Sequence, residues 1–194
     1  PAFHPNGLEF SAFDVNKNLL HHWMVYSVGG GALSDGMQDS EVNFCYPHKN
    51  MTEILNYLKS TGKSFWEYVE ECEGESIWDY LRDVLHVMYA AIDRGIDKEG
   101  VIPGGLGVIR KASQYYRRSK MMSDSYAGNP LLTSYALAVS EENATGGEIV
   151  TAPTCGSSGV VPAVLRFVAE MLDRNEESVL RALATAGIFG NVVK

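Results

Sequence analysis

The spacing of apolar residues changes character near residue 50. From Gly7 to Phe13 apolar side chains alternate (Leu8, Phe10, Ala12), Asp14-Val15-Asn16-Lys17-Asn18 supplies turn chemistry, and Leu19 to Val28 is a second β-rich run. That pattern predicts an antiparallel hairpin. It ends at Gly29-Gly30-Gly31, where backbone without Cβ atoms can approach a neighbour closely. A lone hairpin is marginal in water, so more sheet is expected beside it. Ala32 to Asn50 has no sustained period and contains Pro47, the composition of a connector.

Beyond residue 50 the period lengthens to that of helices. Thr52, Ile54, Leu55 and Leu58 open one helix, which Thr61-Gly62 closes; Ser64 with Glu67 forms a capping-box pattern for the next, bearing Phe65, Trp66 and Val69. The clearest helix runs from Ser76 to Arg94, with Ile77, Leu81, Val84, Leu85, Met88 and Ile92 on one stripe and Gly95 read as its terminator. Gly100 to Gly107 is too rich in glycine for a regular element, and Arg110 to Lys120 is the one basic cluster in the chain. Leu131 to Glu142 reads as a nearly neutral helix, expected at the centre of a bundle and closed by Asn143 to Gly147. Thr151 to Pro162 is a glycine- and serine-bearing loop leading into a helix at Ala163 to Leu172. The last apolar run, Val179 to Val193, has no terminator, and Pro1 is no initiator, so the sequence reads as an excision from a longer protein.

Composition narrows the function classes. Sixteen basic against twenty-four acidic residues give a formal charge of -8, a field that repels nucleic acid and anionic membranes. The longest uncharged stretches, Ser125 to Ser140 and Ile149 to Leu165, carry Gly, Pro, Ser and Thr and do not read as membrane spans. Three widely spaced cysteines, Cys45, Cys72 and Cys155, form no disulfide framework, which points to a reducing, cytoplasmic setting.

Cys155 is the thiol with a special neighbourhood. It precedes a helix start whose free N–H groups, near Ser157, Ser158 and Gly159, favour an anion and lower the pKa of a nearby thiol. A cluster ligand, a nucleophile and a phosphate or carboxylate cradle all want that arrangement, and a tight helix entry with a small buried cysteine explains it too. His4, in His4-Pro5-Asn6-Gly7, sits at a loop end before the first strand, where a histidine serves either a site or a local hydrogen bond. His21, His22, His48 and His86 show no metal-ligand spacing. The basic run, Arg110, Lys111, Arg117, Arg118 and Lys120, suits an anionic substrate or, more commonly, a solvated helix face.

In order along the chain, His4-Pro5-Asn6-Gly7, Tyr26 to Gly31, Asp93-Arg94-Gly95, Glu99 to Gly104, Ala138 to Ala144, Gly146-Gly147 and Thr151 to Thr154 resemble the motifs of the bacterial iron–sulfur-dependent L-serine dehydratases (L-serine ammonia-lyases). The resemblance implies a mainly α fold: residues 1–36 as the closing hairpin of an N-terminal α/β domain, 37–50 as linker, and 51–194 as part of a helical catalytic domain. It implies a lyase of amino-acid degradation feeding gluconeogenesis, acting on L-serine through a [4Fe–4S] cluster, with a homodimer as the whole protein. His4 and Asn6 are the catalytic candidates it suggests, Thr154, Gly156, Ser157, Ser158 and Gly159 the substrate and cluster loop, and Cys155 the iron ligand. One departure stands out: many members have Asn after Thr-Ala-Pro-Thr and cysteine three residues later, whereas here Cys155 takes the first position and Ser158 the second. The remaining cluster ligands are expected outside these 194 residues, leaving the fragment inactive alone.

Three other readings remain. A cysteine-nucleophile enzyme using Cys155 needs a base, and no histidine is near it in sequence. A pyridoxal-phosphate dehydratase needs a Schiff-base lysine, and no lysine lies in a suitable motif. A non-enzymatic helical interaction module explains the composition but not three separated glycine-rich loops.

Overall fold

The computed structural model describes residues 6–29, 32–36, 45–122, 124–150 and 157–193. The chain divides into two units, Pro1–Phe44 and Cys45–Lys194. In the first, β1 (Gly7–Phe13), β2 (Leu19–Gly29) and β3 (Ala32–Ser34) form an antiparallel sheet in the order β1-β2-β3. The turn is written in its sequence: the Asp14 carboxylate accepts N–H bonds from Asn16 and Asn18, both 2.8 Å, and Lys17 takes a left-handed φ of 66°. Phe10 pairs with Trp23 across the ladder, their rings 5.8 Å apart, yet both are about half exposed. β3 lies where the sequence pattern indicates only connector. Three residues carry too little periodicity to announce a strand, and β3 exists because it pairs with β2 from Tyr26 to Gly29.

Among the described residues the named elements of the second unit are helices: α1 (Met51–Thr61), α2 (Phe65–Glu73), α3 (Ile77–Ile96), α4 (Ala112–Met121), α5 (Asp124–Ala144), α6 (Val160–Met171) and α7 (Glu176–Val193). The fold is therefore mainly α, with the hairpin at its start. Local chemistry sets the first boundaries. Asn50 caps α1 by accepting the Glu53 N–H at 3.0 Å, Gly62 ends it at a φ of 72°, and the Glu67 carboxylate accepts the Ser64 N–H at 2.7 Å in the expected capping box.

Tertiary packing moved other boundaries. Gly95 lies inside α3, which runs on to Ile96, because its missing side chain serves a contact with α5 rather than a helix end. α5 begins at Asp124, seven residues before the neutral stretch, and contains Pro130. It packs against α3, α4 and α6, the central place expected of an almost uncharged helix.

Two cores result. Ile54, Leu58, Tyr68, Val69, Leu85, Leu180, Leu183 and Ile188 join α1, α2 and α7 to the first half of α3. Ala91, Ile92, Ile96, Ala112, Tyr135, Ala138, Val139 and Ala163 join its second half to α4, α5 and α6. Among the described residues no helix is long and apolar enough to cross a membrane.

Candidate functional site

Small residues on α5 let backbone come close to it at two places. A Cβ built on Gly95 of α3 would lie 2.3 Å from the Ala138 carbonyl oxygen, and one on Gly159, just before α6, would lie 2.4 Å from the Ala136 oxygen and 3.1 Å from Ser140 Oγ. Neither position admits a side chain. The start of α6 is thereby pressed onto α5. Ser157 is exposed there, whereas Ser158 is buried and its Oγ has no hydrogen-bond partner among the described residues. At the start of α6 the Ala163 N–H donates to Gly159 O at 3.2 Å. Pro162 sits in this first turn, where a missing donor costs nothing.

One turn further on, at its C-terminal end, α5 carries two adjacent buried carboxylates, Glu141 and Glu142. Glu141 accepts the N–H groups of Lys111 and Ala112, at 2.6 and 3.2 Å, and so caps α4 from a distant part of the chain. Glu142, fully buried, receives Lys98 Nζ at 2.6 Å and Arg94 Nε at 3.2 Å, with Arg110 Nη1 at 3.8 Å. Burial opposes its ionisation, but the lysine and arginine outweigh that and hold its pKa below the ordinary glutamate value. Gly147 completes the arrangement: its N–H donates to Glu142 O at 2.8 Å, and a Cβ there would fall 2.7 Å from Glu142 Oε2.

Arg110 reaches this interior through the glycine loop. The Val101–Ile109 bridge, with the Ile102 N–H on Val108 O at 2.8 Å and the Arg110 N–H on Gly100 O at 2.9 Å, closes the loop into a small hairpin. Gly104 and Gly107 supply the positive φ values, 135° and 62°, of its tip. The Arg110 side chain is only 7% exposed; Nη2 donates to Thr145 Oγ1 at 3.1 Å, and Nη1 lies 3.9 Å from Glu141 Oε2. Neither of those last two atoms has a hydrogen-bond partner among the described residues.

Among the sites expected from sequence, Ser157, Ser158 and Gly159 do come together at the start of α6. His4 and residues 151–156, which include Thr154, Cys155 and Gly156, lie outside the described residues. The Asn6 carbonyl accepts the Ser27 N–H at 3.0 Å beside the ladder. The other two thiols are poorly suited to act as thiolates: desolvation, then Glu73, pushes Cys45 up, and burial pushes Cys72 up. His22 pairs with Glu9 at 2.8 Å, His48 Nδ1 lies 2.9 Å from the Tyr68 hydroxyl, and His86 is exposed. Among the described residues no group of three or more His, Cys, Asp or Glu side chains could hold a metal ion.

The sequence model of the family described as serine dehydratase alpha chain matches residues 32–194. The chain belongs to that family. Individual relatives agree: it is 34% identical over 206 residues to an L-serine dehydratase of Haemophilus influenzae and 37% over 207 residues to L-serine dehydratase 1 of Escherichia coli, in each case across 98% of this chain and 45% of the relative. An L-serine dehydratase of Streptomyces coelicolor is 34% identical across 99% of this chain and 45% of its own length. The chain thus spans less than half the length of these curated relatives.

The serine dehydratase alpha chain match covers the helical unit and β3 but not β1 or β2. Within it, residue-by-residue reading of the sequence missed the charge cluster. The basic run does lie mostly in solvent, with Arg117 paired to Glu99 and Lys120 over the Tyr116 ring, but Arg110 turns inward. The available signal was the Glu141-Glu142 pair ending the uncharged stretch that starts at Ser125, since adjacent carboxylates in such a place require cations.

Proposed function

We propose that this chain is part of an iron–sulfur-dependent L-serine ammonia-lyase, which eliminates the elements of water from L-serine and yields pyruvate and ammonia after hydrolysis of the enamine. The reading rests on one observation above others: relatives named L-serine dehydratase match essentially the whole chain. The start of α6 supports it physically. The buried Ser158 hydroxyl, beside the positive end of the helix, is a polar group suited to an anionic sulfide or a carboxylate.

The donor set fits one corner of a [4Fe–4S] cluster. In this reading Cys155 would hold iron, and the remaining ligands belong to other parts of the whole protein. When bound, the cluster supplies a Lewis acid for departure of the substrate hydroxyl. The chain's own group that would orient the substrate is the buried Ser158 hydroxyl, donating to its carboxylate. Removal of the Cα proton needs a base, and His4 and Asn6 are the catalytic candidates that the resemblance supplies. The assembly is proposed as a cytoplasmic homodimer of amino-acid degradation, supplying pyruvate to gluconeogenesis without nucleic-acid or membrane partners.

Anaerobic reconstitution of the whole protein with iron and sulfide, followed by visible absorbance and a serine-to-pyruvate assay, tests this. Cys155→Ala is expected to lower both bound iron and turnover. Unchanged iron content and turnover in that variant would remove Cys155 from the site, and absence of any iron uptake by the unaltered protein would sink the iron–sulfur reading.

A further inference from the structure

α5 grips the chain on both sides of residues 151–156. On the outgoing side, Gly159 is seated against Ala136 and Ser140. On the incoming side, Gly147 lies against Glu142, whose carboxylate also gathers Lys98 and Arg94 from the end of α3 and faces Arg110 from the glycine loop. Arg94 donates to the Glu148 carbonyl as well, and Arg110 to Thr145, so the same cations hold the outgoing turn of α5. A single buried side chain is thus common to the α3 terminus, the 100–110 loop and the 145–148 turn. Burying a carboxylate so completely is costly unless several donors meet it, and relocating any one of those segments would leave charge unpaired in the interior. Such a cluster has one low-energy arrangement, which is what a positioning device requires.

We propose that Glu142 is the positioning residue of the site, fixing the 100–110 loop and the 145–150 segment on α5 and so setting how the chain enters the Cys155 loop. This rests on the reading above that the Cys155 loop carries the chemistry, but its test uses no iron. Amide hydrogen exchange and the iodoacetamide labelling rate of Cys155, with Cys45 and Cys72 as internal references, are measured on this chain and its variants.

Glu142→Gln is expected to speed exchange at 145–150 by about tenfold, the effect of losing one charge-assisted hydrogen bond on a local opening. It is also expected to change Cys155 labelling several-fold relative to Cys72, with exchange in α1, α2 and α7 unaltered. Glu142→Asp, keeping the charge, should restore part of both. Lys98→Met, whose parent side chain is nearly half exposed, serves if Glu142→Gln fails to fold, with the same local pattern at smaller amplitude. Leu180→Ala, in the other core, should move neither readout at matched stability. If Glu142→Gln, or Lys98→Met in its place, leaves Cys155 labelling unchanged or loosens every helix equally, the residue is merely structural and the proposal fails. Local loosening in a protein that never takes up iron would instead overturn the proposed function and leave the bracing intact.

Discussion

The two cores of the helical unit are built on opposite rules. Around α1, α2 and α7, large side chains fill the space between helices: Ile54 and Tyr68 are essentially inaccessible, and the Phe65 and Phe189 rings pack at a tilt with centres 5.0 Å apart. Around α5, alanines stand among Ile92, Tyr135 and Val139, and what meets at Gly95 and Gly159 is backbone. Among the described residues the first core contains no buried charge, whereas the second ends in Glu141, Glu142 and Arg110. Side-chain packing tolerates shuffling among shapes of similar volume; contact between backbones does not. The end of the bundle that bears the candidate site is therefore the one whose geometry is fixed most tightly.

Adding one methyl group breaks that comparison most sharply. Gly95→Ala places a Cβ 2.3 Å from a backbone oxygen that cannot rotate away, so α3 and α5 must separate. The expected loss is about 3 kcal/mol, the upper end of ordinary overpacking, read by chemical denaturation. A loss well under about 1 kcal/mol would show that the two helices slide apart freely and that this core is no tighter than the other.

Acid should separate the cores next. The Glu142 pKa is depressed in the folded chain, because Lys98 and Arg94 outweigh burial. A depressed carboxylate contributes stability that is present above its unfolded pKa of about 4.3 and lost as pH falls through the folded value. The stability difference between the unaltered chain and Glu142→Gln should accordingly be largest above about pH 5 and shrink on acidification. Because Glu53, Glu67, Glu71 and Glu99 are also depressed, only this difference isolates Glu142. A difference independent of pH would mean that the carboxylate is not ionised in the cluster.

The same contrast governs what could be read from the sequence. Where side chains fill space, periodicity and caps speak directly: the hairpin turn at Asp14, the Ser64 helix start and the α3 stripe are all local chemistry. Where backbones meet, the sequence shows only glycines, and a glycine near a helix end reads as a terminator; Gly95 misleads for that reason. β3 was illegible because its cause lies across the ladder in β2. In the candidate site, the small helix entry at Ser157 to Gly159 was legible from residue types, and the ordered motifs pointed to the family. Arg110 was not, since its inward turn is set by a loop closure, Val101 against Ile109, that no short pattern encodes.

The smallest effect comes from repeating the methyl addition in the first core's own helix. Gly187 of α7 is exposed, has an ordinary helical φ, and would find no atom within 4 Å of an added Cβ. A glycine in a helix interior costs about 1 kcal/mol relative to alanine, mostly through the freedom it has in the unfolded chain. Gly187→Ala should therefore raise stability by about 0.5–1 kcal/mol, which for a chain of this size lifts the thermal midpoint by roughly 2 °C. The same chemical change would then carry opposite signs at Gly95 and Gly187, with only the neighbouring backbone differing. If Gly187→Ala instead destabilised the whole protein while stabilising this chain, α7 would be shown to receive close backbone contact on its exposed face, and the rule found around α5 would extend to it.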